Sequence, residues 1–283
     1  MSEFHHLKKK HSYLVCVDSE GSVMDTMNRK HYHCYGPCMV RCWDLEPWRI
    51  EVLERWNEVN LYQLTRGINQ YQALAIVLTE INGRYKPIPG VKELRSWVES
   101  AQTLSDEALE QTIATYPEGE GKVCLEKALA WSKEAKANIA LIPGELMHPF
   151  PGALECLRTM GEFADVVVVS GANRDTVLDE WKRHQLIQYA DLVLTQENGT
   201  KTACIRRLME MGYNKEQVLM VGDAPGDCDA AEENGVGFFP ILVEHEQDSW
   251  EELRFVGLHM LKNGLLEEYL AEQKRAFLSN LGG

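Results

Sequence analysis

Tyr13-Leu14-Val15-Cys16-Val17-Asp18-Ser19-Glu20-Gly21-Ser22-Val23-Met24-Asp25 opens on an unbroken apolar run, Leu14 to Val17. It then stops at two carboxylates, Asp18 and Glu20, followed by a glycine and a serine. An apolar run without alternation reads as a strand covered on both faces of a parallel sheet. In open α/β sheets, reactive groups sit where strands end and loops begin. Neighbouring strand residues face opposite ways, but a turn from Ser19 lets Asp18 and Glu20 address one crevice. Asp18 is the candidate nucleophile.

The same pattern recurs later in the chain. Asp165-Val-Val-Val-Val-Ser170 reads as a second buried strand ending in a hydroxyl, and Asp191-Leu-Val-Leu-Thr195 as a third. Gln217-Val-Leu-Met-Val-Gly222-Asp223 reads as a fourth, again apolar until a carboxylate, and Gly237-Phe-Phe-Pro-Ile241 as a shorter fifth. Helices are expected between them: one leading from Pro151 to Gly161, one over 173–184, and one opened by Lys201 and closed at Gly212. The tail, 248–281, reads as two helices broken at Asn263-Gly264. Strands alternating with helices imply an α/β fold, a Rossmann-like doubly wound parallel sheet with right-handed crossovers.

Between Asp25 and Pro149 the alternation stops. Pro47 suits a first helical turn, with Trp48, Val52, Trp56 and Val59 on one stripe. Tyr71, Leu74, Ala75, Leu78 and Ile81 form another, which Asn82-Gly83 is expected to end. Further helices are expected at 90–100, 105–115 and 120–138, with the loop Arg84–Gly90 separating two groups. The expected division is an α/β core from 1–26 and 149–283, with an inserted α-helical cap domain over 27–148.

Composition narrows the function classes. Acidic residues outnumber basic ones 43 to 29, a formal charge of −14. No broad positive field is available for nucleic acid or an anionic membrane. An anionic substrate must then be held locally, by a metal, a lysine or backbone amides. No window approaches the roughly 18 apolar residues of a membrane span, and Met1–Ser12 is polar, without a signal-peptide core. A cytoplasmic setting is expected. The 8 cysteines in 283 residues fall short of a disulfide scaffold and read as small core residues in a reducing compartment.

Four motifs in this order resemble the haloacid dehalogenase (HAD) superfamily of phosphohydrolases: Asp18-Ser-Glu20-Gly21-Ser22, Ser170-Gly171-Ala-Asn173, Lys201, and Gly222-Asp223-Ala-Pro-Gly-Asp227. Each is weak alone; together, each at an expected strand or helix end, they are specific. The helical block resembles the family's cap inserted after the first motif. The resemblance implies a Mg²⁺-dependent phosphatase acting on a small phosphorylated substrate, with Asp18 forming an aspartyl phosphate. It implies Mg²⁺ held by Asp18, the Glu20 backbone carbonyl and Asp223, with Asp227 as an acidic neighbour. Ser170 and the amides from Gly171 onward would take the phosphoryl oxygens, and Lys201 would neutralise nucleophile and phosphate together. Lys182 is a weaker competitor for that role. Asp227 reads alternatively as the N-cap of a helix at 228–234.

Glu20 departs from the family's second aspartate, which protonates the leaving oxygen and then activates water. The added methylene leaves three readings: the same role in an adjusted backbone, poor turnover, or a core that binds without turnover. Phosphomutase and phosphonate or haloacid hydrolysis are the alternatives within the fold. Arg29-Lys30-His31 could line a substrate pocket, with Lys30 and His31 as binding residues. His31 to Cys42 offers His and Cys at short spacing, but Cys-x3-Cys-x3-Cys lacks the paired form of structural zinc sites. Oligomeric state stays open.

Overall fold

Four consecutive valines in Ala164–Val169 can stay this apolar only if both sheet faces are covered, and in the computed structural model every residue of that strand is buried. Residues 3–264 and 266–283 are described; the first two residues of the polar amino-terminal stretch and position 265 of the tail lie outside them. The strands are β1 (Tyr13–Val17), β2 (Ala164–Val169), β3 (Leu192–Leu194), β4 (Val218–Gly222) and β5 (Gly237–Pro240). All pairings are parallel, in the order β3-β2-β1-β4-β5. The chain runs outward from β1 through β2 to β3, then returns to the other side of β1 for β4 and β5. The direction of winding therefore reverses between β1 and β4, the position where doubly wound sheets open a crevice beyond their strand ends. Val17 aligns with Val168 on one side and Val221 on the other, so Asp18 emerges between the ends of β2 and β4.

The chain divides into two compact units, Met1–Met27 with Gly144–Gly283, and Asn28–Pro143. The first holds the sheet. One of its apolar clusters joins Val15, Val17, Val166, Val168, Leu219 and Val221 to Trp181, Trp250 and Leu258 from the flanking helices. In the tail, helix Glu246–Glu252 passes through a wider turn over Leu253–Gly257 into Leu258–Asn263. Gly264, in the left-handed region at φ +68°, ends it before Leu266–Asn280.

The second unit is helical and has its own core, in which Val52, Trp56, Tyr71, Leu74, Leu78, Trp97 and Trp131 are buried together. The helix expected from Pro47 starts later, at Arg49. Pro47 lies in a tight turn, Glu46–Trp48, and Trp48 has left helical geometry at φ −122°. Asn82-Gly83 does not end the next helix, which runs through to Arg84. The Asn82 side chain instead accepts the Ile88 N–H at 2.7 Å and holds the following loop. Helices Val91–Ser100, Asp106–Thr115 and Glu120–Ala140 complete the unit. Among the described residues no helix is long and apolar enough to cross a membrane.

Candidate active site

The site begins at the carboxyl end of β1. The Asp18 amide donates to the Val221 carbonyl at 2.9 Å, extending the β1–β4 ladder one residue beyond the strand. The chain then folds back tightly: the Val23 and Met24 amides both donate to Ser19 O, and the Gly21 amide to Met24 O. Gly21 takes φ +85° here, a conformation that costs a side-chain-bearing residue energy.

Asp223 follows β4 and Asp227 lies one turn into helix Pro225–Asn234. Asp227 is not the N-cap of a helix from 228. Pro225 starts the helix, and the Asp227 carboxylate turns back to accept the Ala224 amide at 3.1 Å. Lys201 is the first residue of helix Lys201–Met209, placed there because the Thr200 hydroxyl caps the helix by accepting the Ala203 N–H. Its ammonium bridges Asp18 Oδ1 at 2.9 Å and Asp227 Oδ1 at 2.5 Å. Lys182, by contrast, is exposed.

Carboxylate oxygens of Asp18, Asp223 and Asp227 come within 4.8 Å of one another, all three residues buried. Among the described residues no other group of histidine, cysteine or acidic side chains meets that test. Three carboxylates against one ammonium leave excess negative charge within the group. Burial holds Asp18 well above the ordinary carboxylate range; Lys201 opposes this, and Asp227 and Asp223 add to it. Asp227 is raised by burial and by Asp223, again against Lys201. Burial alone would pull the Lys201 ammonium down, but the Asp18 and Asp227 carboxylates outweigh it and keep it protonated. A compact, all-oxygen, electron-rich site of this kind suits a hard divalent cation.

Ser170 ends β2, nearly fully buried, and its hydroxyl accepts the Ala172 amide at 3.1 Å. Gly171 beside it is exposed. Asn173 then caps helix Arg174–Arg183 by accepting the Thr176 amide, so the turn after β2 feeds directly into a helix start, where backbone amides suit anionic oxygens. Glu20 is half-buried, and its carboxylate is not one of the clustered three.

Lys30 and His31 belong to the helical unit, both largely buried. His31 stacks near Tyr35 and Trp56, with ring centroids 5.2 and 5.8 Å away. Burial, with the charges of Arg66 and Lys30, lowers its pKa to about 3, so the ring is neutral. The neighbouring cysteines form no metal group. Cys38 Sγ accepts from Arg41 and Asn138, and burial pushes the Cys42 thiol up to about 11.

Three contacts lay outside the sequence reading: the Ser22 hydroxyl on Asp223, the Trp181 indole on Ser19 and the Trp250 indole on the Ser22 carbonyl. Each joins residues more than 160 positions apart, and no local pattern signals such pairs.

The model of one family, the haloacid dehalogenase-like hydrolases, matches residues 96–241, just over half of the 283-residue chain. The chain belongs to this family. The matched segment contains Ser170, Lys201 and Gly222–Asp227, while Asp18–Ser22 lies before it. No curated protein matches by sequence. Among solved structures, this HAD-like hydrolase is similar to a protein from Lactobacillus delbrueckii subsp. bulgaricus provisionally named a phosphoglycolate phosphatase. The identity is 13% over 81% of this chain and 86% of the other, with a TM-score of 0.50. A protein from Thermotoga maritima provisionally named a β-phosphoglucomutase is 14% identical over 81% and 84%, at 0.47. A Bacillus subtilis protein provisionally named a HAD hydrolase, with magnesium bound, is 13% identical over 82% and 87%, at 0.42. At 13% identity the likeness to the Lactobacillus protein shows the fold alone.

Proposed function

We propose that this HAD-like hydrolase is a Mg²⁺-dependent phosphatase that cleaves small phosphorylated metabolites through an aspartyl phosphate on Asp18. The observation that carries the reading is the Lys201 ammonium held between Asp18 and Asp227 at the end of β1, with Asp223 completing a buried acidic group. An acidic group with one lysine is repelled by a bare phosphate ester, and accommodates one only with a dication present. Asp18, Asp223 and the Glu20 carbonyl, with Asp227 behind them, are the residues that would hold Mg²⁺. Bound there, the ion would supply charge neutralisation for the phosphoryl oxygens.

The chain's own groups supply the rest. Asp18 attacks phosphorus as the ester oxygen leaves, and Lys201 offsets charge on the incoming carboxylate and the phosphoryl group. Ser170 and the amides of the following turn hold the equatorial oxygens. Glu20, two residues from the nucleophile, gives its proton to the departing oxygen. It then takes one from the water that hydrolyses the aspartyl phosphate, which frees the Asp18 carboxylate and returns Glu20 to its protonated form. The helical unit is proposed as the cap that selects the substrate, with Lys30 and His31 among its binding residues. Eight free cysteines support a reducing, cytoplasmic setting.

Turnover of a generic aryl phosphate, assayed with and without Mg²⁺, tests the reading. Hydrolysis is expected only with the ion, and Glu20→Asp is expected to keep or raise the rate. Unchanged turnover in Glu20→Gln, which keeps the size of the side chain and removes its acid–base proton, would remove the acid–base role from this residue. A wild-type protein that binds Mg²⁺ but hydrolyses no phosphate ester would refute the phosphatase reading.

A further inference from the structure

Two buried indole N–H groups reach the loop that leaves β1, each from a different helix of the same unit. Trp181, on helix Arg174–Arg183, donates to Ser19 Oγ at 2.9 Å, and Ser19 stands between Asp18 and Glu20. Trp250, on helix Glu246–Glu252, donates to the Ser22 carbonyl at 3.0 Å. The Ser22 hydroxyl in turn donates to Asp223 Oδ1 at 2.5 Å. Both indoles and both serines are buried, with Trp181, Trp250, Ser19 and Ser22 all at 0% exposure.

Packing alone does not ask for these N–H groups. Phenylalanine fills apolar space without a donor, whereas a buried indole N–H needs a partner. The loop closes on itself through the amides of Gly21, Val23 and Met24. It therefore behaves as a small rigid piece, whose orientation relative to the sheet needs holding from outside. The two indoles grip it at either end, one at the residue between the two acids and one at the residue that touches Asp223.

We infer that Trp181 and Trp250 are positioning residues of this site: Trp181 sets how Asp18 and Glu20 are presented, and Trp250, acting through Ser22, sets the orientation of the Asp223 carboxylate. The first half rests on the phosphatase reading; the second rests on the carboxylate group alone. The two tryptophans then control different observables. Trp181 governs the chemical step, in which small misplacements are costly. Trp250 governs cation affinity, in which groups behind the ligands count for about 10- to 100-fold.

The test compares Trp181→Phe, Ser19→Ala, Trp250→Phe and Ser22→Ala in the full chain. The readouts are aryl phosphate kinetics, Mg²⁺ titration calorimetry and amide exchange of residues 19–24. Trp181→Phe and Ser19→Ala are each expected to lower kcat by about 10-fold or more at unchanged KM. Their double variant should lose no more than either single one, since one bond is removed in all three. Trp250→Phe and Ser22→Ala should instead weaken Mg²⁺ by about 10-fold. Should an indole variant fail to fold, Ser19→Ala removes the Trp181 bond, and Ser22→Ala removes the Asp223 bond through which Trp250 acts, each without a large change in packing. Serine variants with wild-type kcat, Mg²⁺ affinity and amide exchange would overturn the inference, whatever they do to thermal stability. If the wild-type protein hydrolyses no ester, the phosphatase reading fails separately. The positioning role then stands or falls on Mg²⁺ affinity and amide exchange in the same variants.

Discussion

A Cβ built on Gly222 would stand 2.3 Å from Asp227 Cγ and 2.4 Å from its Cβ. The glycine at the end of β4 is therefore required by the carboxylate that folds back over it, and not by a turn. Gly222→Ala must push Asp227 aside, and with it the Lys201 ammonium that Asp227 shares with Asp18. The expected cost is about 1–3 kcal/mol in stability and on the order of 100-fold in Mg²⁺-dependent turnover, measured by denaturation and steady-state kinetics. A variant with unchanged turnover would detach Asp227 from the chemistry. At this scale much of the site was readable, because Asp18, Ser170 and Asp223 each end an apolar run and Lys201 opens a helix. What could not be read was direction. Asp227 has the sequence position of a helix cap, yet it sits inside the first turn and points back to the strand.

The element scale shows the same division between pattern and context. Unbroken apolar runs specify β2 and β4 because both faces of these strands are covered, and the stripe from Tyr71 to Ile81 specifies its helix. The wider helical turns at His31–Tyr35, Glu58–Tyr62 and Leu253–Gly257 carry no such mark. In the helical unit, the start of helix Asp106–Thr115 is tied to helix Glu120–Ala140 by one carboxylate. Asp106 Oδ1 accepts from Tyr71 Oη at 2.8 Å and Ser132 Oγ at 2.7 Å, and pairs with Lys136 at 2.7 Å. Burial tends to raise the Asp106 pKa, but these three partners outweigh it and hold it below the ordinary value of 3.8. A carboxylate depressed in the native state stabilises the fold fully above its unfolded value. That contribution fades as the pH falls through the lower native value. Asp106→Asn should accordingly cost about 1–2 kcal/mol at neutral pH. The gap from wild type should shrink as the pH drops below about 4, as followed by thermal unfolding at a series of pH values. A gap that stays constant would mean that the charge of Asp106 contributes nothing.

For the whole molecule, chain order and sheet order together place three distant segments at the carboxyl ends of the central strands. Residues 18–22, 201 and 222–227 meet because the winding reverses at β1 and β4. The alternation of strands and helices made the doubly wound parallel sheet readable, whereas the order that sets β4 beside β1 comes from the observed pairings. The long-range locks, Trp181 to Ser19 and Trp250 to Ser22, were not readable, since nothing near residue 19 or 22 announces a tryptophan from the far end of the chain. A dication that binds only the assembled cluster must stabilise the native state by mass action, by about 2.7 kcal/mol at a hundredfold excess over Kd. Mg²⁺ is expected to raise the Tm of the wild-type protein and to leave that of Asp223→Asn almost unchanged, in scanning calorimetry with chelator as the baseline. An equal rise in both would move the ion away from the cluster.

The proposed attack of Asp18 on phosphorus is most directly tested by acid-quenching the protein during turnover of an aryl phosphate with Mg²⁺ and mapping phosphorylated peptides by mass spectrometry. One phosphoryl group on the peptide containing Asp18, absent in Asp18→Asn, is the expected result. Steady turnover with no such adduct at any sampled time, or with the phosphoryl group on another residue, would contradict it.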